Sequence, residues 1–267
     1  GHNLIIRMDD VGMCHSVNMG AEKVFKTGLP VNVSMMSCCS WFDEAARIVK
    51  KYPNVAVGVH LTLNSEWKNY KWRPLSGSQN VPSLVGKDGY FRPGNAWFWK
   101  DSIDLKEMEM EFRLQIETVL KAGLKISYLD SHMACWRQKD ATFEVVEKLA
   151  KEYGVGLSGY YNEKRYGVKE TGLFESLNNL LSLTGEFARN DISLLVFHPG
   201  TNSEEMQMLT LDGKGGEYEN ISTGREAAVN AITSPAFIDA LVKNGITVIN
   251  YADLVKTKGI NNLVRPK

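Results

Sequence analysis

The segment Leu4-Ile5-Ile6-Arg7-Met8-Asp9-Asp10-Val11-Gly12 joins a short apolar run to two adjacent carboxylates and a glycine. A short apolar run without polar alternation is typical of a parallel strand that helices cover on both faces. Ser16 then opens a stretch with helical periodicity that we expect to stop near Gly28. The segment therefore predicts a buried strand, a polar strand end and a following helix.

The same unit recurs along the chain of 267 residues. We predict strands at residues 4–8, 31–36, 56–63, 126–129, 155–157, 194–197 and 247–251. The helices that alternate with them are expected at residues 16–28, 42–51, 101–122, 141–152, 173–189 and 225–243.

This alternation predicts the α/β class, with a (β/α) barrel of about seven parallel strands as the leading architecture. A doubly wound open sheet is the alternative, but neither a GxGxxG nor a Walker loop follows the first strand. We expect a single domain over residues 1–267, because α/β barrels of about 250 residues commonly form one domain. Two stretches that break the pattern predict long loops, an aromatic-rich one at 64–100 and a glycine-rich one at 201–222.

Composition narrows the possible partners. Lysine and arginine total 31, as do aspartate and glutamate, so no net charge favours nucleic-acid binding. Apolar runs such as 56–61 are far shorter than the roughly 20 residues of a membrane-spanning helix, and none is expected. The four cysteines form no CxxC pattern and predict isolated thiols. The sequence does not decide between a cytoplasmic location and export after removal of a leader. It also leaves open whether the protein forms a homodimer.

Ionisable residues collect where the predicted strands end. Asp9 and Asp10 end the first strand, His60 lies near the end of the third, Asp130-Ser131-His132 ends the fourth, and His198 ends the sixth. Because the carboxyl ends of parallel strands surround the ligand site of α/β folds, we expect these residues to face one cavity.

Taken singly, each residue has a structural explanation, such as a hydrogen bond to a loop or a helix cap. Together, several carboxylates and imidazoles in one crevice favour a shared cation, with Asp130 orienting a metal-binding histidine. One carboxylate and two imidazoles suit Zn²⁺, Mn²⁺, Co²⁺ or Fe²⁺, whereas Mg²⁺ prefers more oxygen ligands. Asp9 and Asp10 can share the site only if the strand stops there, and we expect Val11-Gly12 to supply that break.

The chain resembles the YdjC-like carbohydrate deacetylases, a family that includes chitooligosaccharide deacetylase. The resemblance rests on four motifs that follow in the family's order, with Pro74-Leu75-Ser76 as a further match. The motifs are Met8-Asp9-Asp10-Val11-Gly12 with Ser16-Val17-Asn18, Val57-Gly58-Val59-His60-Leu61, Leu129-Asp130-Ser131-His132 and Phe197-His198-Pro199-Gly200.

The resemblance implies a distorted (β/α) barrel that removes an acetyl group from an N-acetylated sugar, using water activated by one divalent metal ion. Asp10, His60 and His132 would hold the metal, which would be Zn²⁺ or Mg²⁺, with Mn²⁺ or Co²⁺ also open. Asp9 would be the general base and His198 the general acid.

One position departs from the family pattern, because Ala134 stands where many relatives have a second histidine. His15 is a candidate to fill the lost role, and a capping or surface role is its alternative. Aromatic side chains pack well against sugar rings, although a large loop also needs a small core of its own. The further candidates for substrate contact are Trp67, Trp72, Arg73, Trp97, Trp99 and Trp136.

Three other functions are compatible with these residues. The same groups could hydrolyse another ester, amide or phosphate bond, although a phosphatase should show more positive charge. A catalytically silent carbohydrate-binding protein would keep the pocket and the aromatic residues. A two-histidine, one-carboxylate iron oxygenase has similar ligands, but the chain shows no co-substrate motif.

Overall fold

The computed structural model describes residues 1–96, 103–209 and 221–267, and these contain eight strands in one parallel sheet. The order across the sheet is β5-β4-β3-β2-β1-β7-β6, and β8 also pairs with β1. The strands are β1 His2–Val11, β2 Asn32–Met35, β3 Ala56–Leu61, β4 Ile126–Ser131, β5 Gly156–Leu157, β6 Lys164–Gly167, β7 Ile192–Phe197 and β8 Ile246–Ile249.

Strand β1 is long enough to have three neighbours. Along one edge it pairs with β7, from Asn3 to Met8. Along the other edge, β8 pairs with its first half and β2 with its second half. The outermost strands β5 and β6 do not pair with each other in the described ranges, so the sheet is a curled half-barrel. The prediction of a distorted α/β barrel with about seven parallel strands is confirmed.

Helices follow most of the strands, as the alternation predicts. Several begin at a side chain that accepts a backbone N–H, including Asp104, Ser203, Ser234 and Asn250. Short 3₁₀ turns occupy Pro82–Leu84 and His132–Ala134. The α-helices of the described ranges are α1 His15–Phe25, α2 Phe42–Val49, α3 Leu105–Lys121, α4 Asp140–Tyr153, α5 Leu173–Phe187, α6 Glu204–Gln207, α7 Ile221–Ile232, α8 Pro235–Lys243 and α9 Tyr251–Lys258.

Four elements differ from the prediction. The helix expected at 225–243 is two helices, because Ser234 caps a new helix and Pro235 occupies its first position. The strand expected to reach Tyr251 ends at Ile249, since Asn250 caps α9. Strand β6 was not predicted, and the loop expected at 201–222 contains the short helix α6.

Side chains on the two faces of β1 pack into two different hydrophobic clusters. Leu4, Ile6 and Met8 belong to the main hydrophobic cluster between sheet and helices, whereas Ile5 belongs to a smaller cluster with Tyr128 and Tyr251. Because side chains alternate along a strand, Arg7 and Asp9 share the face of Ile5. The inner face of the half-barrel therefore carries an arginine and a carboxylate beside tyrosines.

The described part of the aromatic-rich loop packs into the main cluster through Trp67, Trp72 and Phe91. Trp97 and Trp99 lie outside the described residues. All four cysteines are unpaired, which confirms the prediction of isolated thiols. None of the described helices combines the length and apolar character that a bilayer crossing requires.

Gly20 permits a close approach between α1 and the loop after β7. A Cβ atom built on Gly20 would lie 2.4 Å from the backbone nitrogen of Gly200. We therefore expect Gly20→Ala to lower the free energy of unfolding by about 1–3 kcal/mol or more, as overpacking does. Chemical denaturation measures the change.

Gly185 in α5 provides the control, because a Cβ built there meets no atom within 4 Å. Gly185→Ala should raise stability by about 0.5–1 kcal/mol through helix propensity. Equal stability of the two variants would contradict the proposed contact.

Candidate metal site

A β-bulge in β1 brings both adjacent aspartates toward the site. Met8 pairs with Val33 and Val11 pairs with Met35, so Asp9 and Asp10 together face one residue of β2. Asp10 has a φ of 65°, in the left-handed region. The strand ends at Val11 and Gly12 lies in a turn, as expected, but the bulge before that end, and not the end itself, brings both aspartates to one site. A bulge changes the side-chain alternation without ending the strand.

Asp10, His60 and His132 converge although they are far apart in the sequence. The Oδ1 atom of Asp10 lies 3.4 Å from Nε2 of His60 and 3.2 Å from Nδ1 of His132. One potential ligand atom of each residue lies within 4.8 Å of the other two, and all three residues are buried. The three predicted metal ligands therefore form one cluster.

The donors of this cluster fit a divalent cation. The Oδ1 atom of Asp10 is buried and makes no regular hydrogen bond among the described residues, and its nearest charged neighbours are the two imidazoles. The other oxygen, Oδ2, accepts a hydrogen bond of 2.9 Å from Arg225. A buried carboxylate oxygen without a partner is costly, and a cation between it and two imidazoles would remove that cost.

Each histidine is oriented by a second carboxylate. Nδ1 of His60 lies 2.8 Å from Asp130, which leaves Nε2 facing Asp10. His132 has the opposite arrangement, with Nε2 at 2.9 Å from Glu66 and Nδ1 facing Asp10. A carboxylate on one nitrogen fixes the ring and makes the other nitrogen a better metal ligand.

Arg7 connects Asp9 to this network. Its Nε and Nη2 atoms donate to the two carboxylate oxygens of Asp9 at 2.8 and 3.0 Å, and Nε also lies 3.2 Å from Asp130. Its Nη1 atom donates to Ser158 at 2.8 Å. A two-point arginine–carboxylate contact fixes both position and orientation, so Asp9 is held beside the cluster.

Opposite charges in the cluster shift the pKa values of its carboxylates and imidazoles toward the charged forms. Burial acts to raise the pKa of Asp10, but Arg225 and the two imidazoles more than offset it, and the pKa lies well below its usual value. Burial likewise opposes ionisation of Asp130, yet His60 and Arg7 lower its pKa to about 2. Burial lowers the pKa of His60, but the Asp130 and Asp9 carboxylates raise it to about 9. Positive charge is therefore strongly favoured between these carboxylates.

His198 is held by Glu170, which follows β6. The carboxylate accepts the His198 backbone N–H at 2.6 Å and lies 3.0 Å from Nδ1 of the ring. Burial acts to lower the pKa of His198, but the Glu170 carboxylate raises it above its usual value. The His198 side chain is 39% exposed, so the ring remains accessible.

The structure places most of the predicted aromatic contacts inside the protein. Trp67 and Trp72 are buried in the packed loop, with the Trp72 ring centroid 6.1 Å from that of His132. Trp136 is fully buried and donates to the carbonyl of Asp130. Arg73 is exposed and stacks on Tyr90. Sugar contact by these four residues stays a prediction.

His15 is not part of the Asp10–His60–His132 cluster. It begins α1, and its Nδ1 lies 2.9 Å from both oxygens of Glu44. Its ring contacts Trp41, with the centroids 5.2 Å apart. Among the described residues, the His15 side chain contacts Glu44 and Trp41, so its replacement of the missing histidine stays a prediction.

Four charged residues of the site were missed by reasoning from the sequence: Arg7, Glu66, Glu170 and Arg225. Arg7 could have been predicted, because it lies two residues before Asp9 and hence on the same face of the strand. The other three lie in a loop or a helix far from their partners in sequence, and only the fold brings them together.

The fold and this cluster define an α/β half-barrel with a buried carboxylate–imidazole site at the carboxyl ends of its strands. The model of the YdjC-like protein family matches residues 3–243, so the chain belongs to that family. A carbohydrate deacetylase of Clostridium beijerinckii is 26% identical to it over 263 residues, which cover 94% of this chain and 99% of the relative.

Two solved structures share the fold. A protein of Enterococcus faecalis V583, provisionally described as a cellobiose-phosphate cleavage protein, superposes with a TM-score of 0.80 at 22% identity, over 95% of this chain and 99% of its own. A family 4 acetyl xylan esterase of Clostridium thermocellum, in complex with cobalt, gives a TM-score of 0.51 at 11% identity, over 98% and 94% of the two chains.

Removing Arg7 should destabilise the protein. Arg7→Met leaves Asp9 and Asp130 without their shared cation, and breaking a buried ion pair in this way costs about 3–5 kcal/mol. The free energy of unfolding from urea denaturation measures the loss. Arg113→Met is the matched control, because Arg113 pairs with Glu152 on the surface and such pairs contribute about 1 kcal/mol or less. Similar losses in both variants would contradict the role of Arg7.

Proposed function

We propose that this protein is a metal-dependent deacetylase that hydrolyses the acetamido group of an N-acetylated sugar or oligosaccharide. The observation that carries the proposal is the unpartnered Oδ1 of Asp10, buried between the nitrogens of His60 and His132. Membership of the YdjC-like family, and the carbohydrate deacetylase of C. beijerinckii within the relatives, support the substrate class.

Asp10, His60 and His132 would hold one divalent cation. Two imidazoles with one carboxylate suit Zn²⁺, and Mn²⁺ or Co²⁺ accepts the same ligands, whereas Mg²⁺ requires more oxygen ligands or retained waters. When bound, the cation supplies Lewis acidity, which polarises a carbonyl oxygen and makes water a stronger acid. Asp130 and Glu66 orient the two imidazoles for this task.

Asp9 acts as the general base and takes one proton from the water that attacks the acetyl carbon. One of its oxygens lies within 4.8 Å of a His60 nitrogen, so the carboxylate borders the cluster. Arg7 donates one hydrogen bond to each oxygen of the Asp9 carboxylate. Because a carboxylate oxygen has two lone pairs, one lone pair on each oxygen remains free to accept a proton.

His198 acts as the general acid. Glu170 occupies Nδ1 and favours the protonated ring, which leaves the proton on Nε2 for the departing nitrogen. As the carbon–nitrogen bond breaks, the water oxygen remains with the acetyl group as acetate and the sugar nitrogen leaves as an amine. The roles of Asp9 and His198 are therefore complementary, one accepting and one donating a proton.

Acetate release across a panel of N-acetylated mono- and oligosaccharides tests the proposal. The protein is first stripped with a chelator and then receives one divalent metal at a time. We expect no release from the stripped protein and recovery with at least one metal. Acetate release by the stripped protein would overturn metal dependence.

The same panel includes O-acetylated sugars and a sugar phosphate. Hydrolysis of an ester or phosphate without hydrolysis of any amide would assign another hydrolase reaction to the site. Sugar binding without hydrolysis under every metal would instead indicate a carbohydrate-binding protein.

Asp9→Asn tests the general base. We expect kcat to fall by about 10²- to 10⁴-fold, the usual contribution of a general base, while calorimetry shows metal binding close to that of the unaltered protein. Asp43→Asn, which changes an exposed aspartate of α2, is the control and should keep its rate. A normal rate in Asp9→Asn would remove Asp9 from the mechanism.

A further inference from the structure

An exposed tryptophan and an exposed histidine lie beside each other at the carboxyl edge of the sheet. His15 begins α1 just after β1, and Trp41 immediately precedes α2, which follows β2. Because β1 and β2 are parallel neighbours, both residues stand at the edge that carries Asp10. Residues that follow the strands at this edge surround the ligand sites of α/β barrels.

A buried asparagine ties these residues to the turn that follows Asp10. The Oδ1 atom of Asn18 accepts the Gly12 backbone N–H at 2.8 Å. Its Nδ2 atom donates to the Trp41 carbonyl and to a Glu44 oxygen, both at 3.0 Å. Gly12 also packs closely on α2, since a Cβ built on it would lie 3.2 Å from Cα of Phe42. The pair is therefore fixed relative to the metal cluster.

The exposed surface of this pair suits a sugar ring. Trp41 is 39% exposed and the His15 side chain is 48% exposed. Their rings are tilted by 45° with the centroids 5.2 Å apart, and Glu44 occupies Nδ1 of His15. No described hydrogen bond uses Nε2 of His15. An indole face can pack against the C–H face of a pyranose while neighbouring polar atoms bind its hydroxyls.

We propose that Trp41, His15 and Glu44 form a subsite for a second sugar ring, next to the ring that is deacetylated. The inference rests on the proposed function for the class of ligand, and it adds the place where the neighbouring ring binds. The ring packs on Trp41, and its hydroxyls bond to Nε2 of His15 and to Glu44. Asn18 keeps the subsite ordered before the sugar arrives.

The test compares N-acetylglucosamine with its β-1,4-linked dimer on the metal-loaded protein. In Trp41→Ala we expect the ratio of kcat/KM for dimer over monomer to fall about fivefold to tenfold, through KM more than kcat, the range of one aromatic packing contact. His15→Ala should lower the same ratio. Leu120→Ala, which removes a comparably exposed side chain from α3, is the control and should keep the ratio.

Isothermal calorimetry with the same dimer separates the subsite from the reaction. We expect weaker dimer binding in Trp41→Ala than in the unaltered protein, with unchanged thermal unfolding to show that the fold persists. Unchanged rate ratios or equal dimer affinity in the two proteins would overturn the subsite. The acetate-release panel decides the proposed function separately. If neither of these two sugars releases acetate, calorimetry decides the subsite, and undetectable dimer binding by the unaltered protein overturns it.

Discussion

The buried charges at the carboxyl end of the sheet must balance, and this constraint shapes the site. Four buried carboxylates, Asp9, Asp10, Glu66 and Asp130, face two buried guanidiniums, Arg7 and Arg225. Two negative charges remain, which either protons on the imidazoles or one divalent cation can offset. An ionised carboxylate left in the interior without compensation is far more costly than any single packing defect. The cluster is therefore organised to attract positive charge.

The fold was largely predictable because its signal is local. Short apolar runs that alternate with helical periodicity specify a covered parallel sheet, and each run lies close to an observed strand. Strand β6 had no such signal, since Lys164-Arg165-Tyr166-Gly167 is a polar edge strand in which only Tyr166 is partly buried. The division of the helix expected at 225–243 depends on capping by Ser234, which periodicity does not detect.

The site was predictable only in part, for a physical reason. Asp10, His60 and His132 lie at the carboxyl ends of β1, β3 and β4, and parallel topology alone brings such residues to one edge of the sheet. Asp130, which orients His60, lies on β4 and was predicted. Glu66, which orients His132, comes from a loop, and Arg225, which donates to Asp10, comes from α7, so these two reach the cluster only through tertiary packing. The bulge at Asp9-Asp10 likewise depends on the register of β1 against β2, which a single segment cannot reveal.

The central position of β1 has a consequence for how the chain folds. Its first half pairs with β8, where Ile5 lies opposite Ile249, so β1 is synthesised long before the strand with which it pairs. Contacts so distant in sequence close slowly, because the intervening chain must first lose much of its freedom. During translation, the edge of β1 that later accepts β8 remains open until β8 has left the ribosome, and the sheet is completed only by that late pairing.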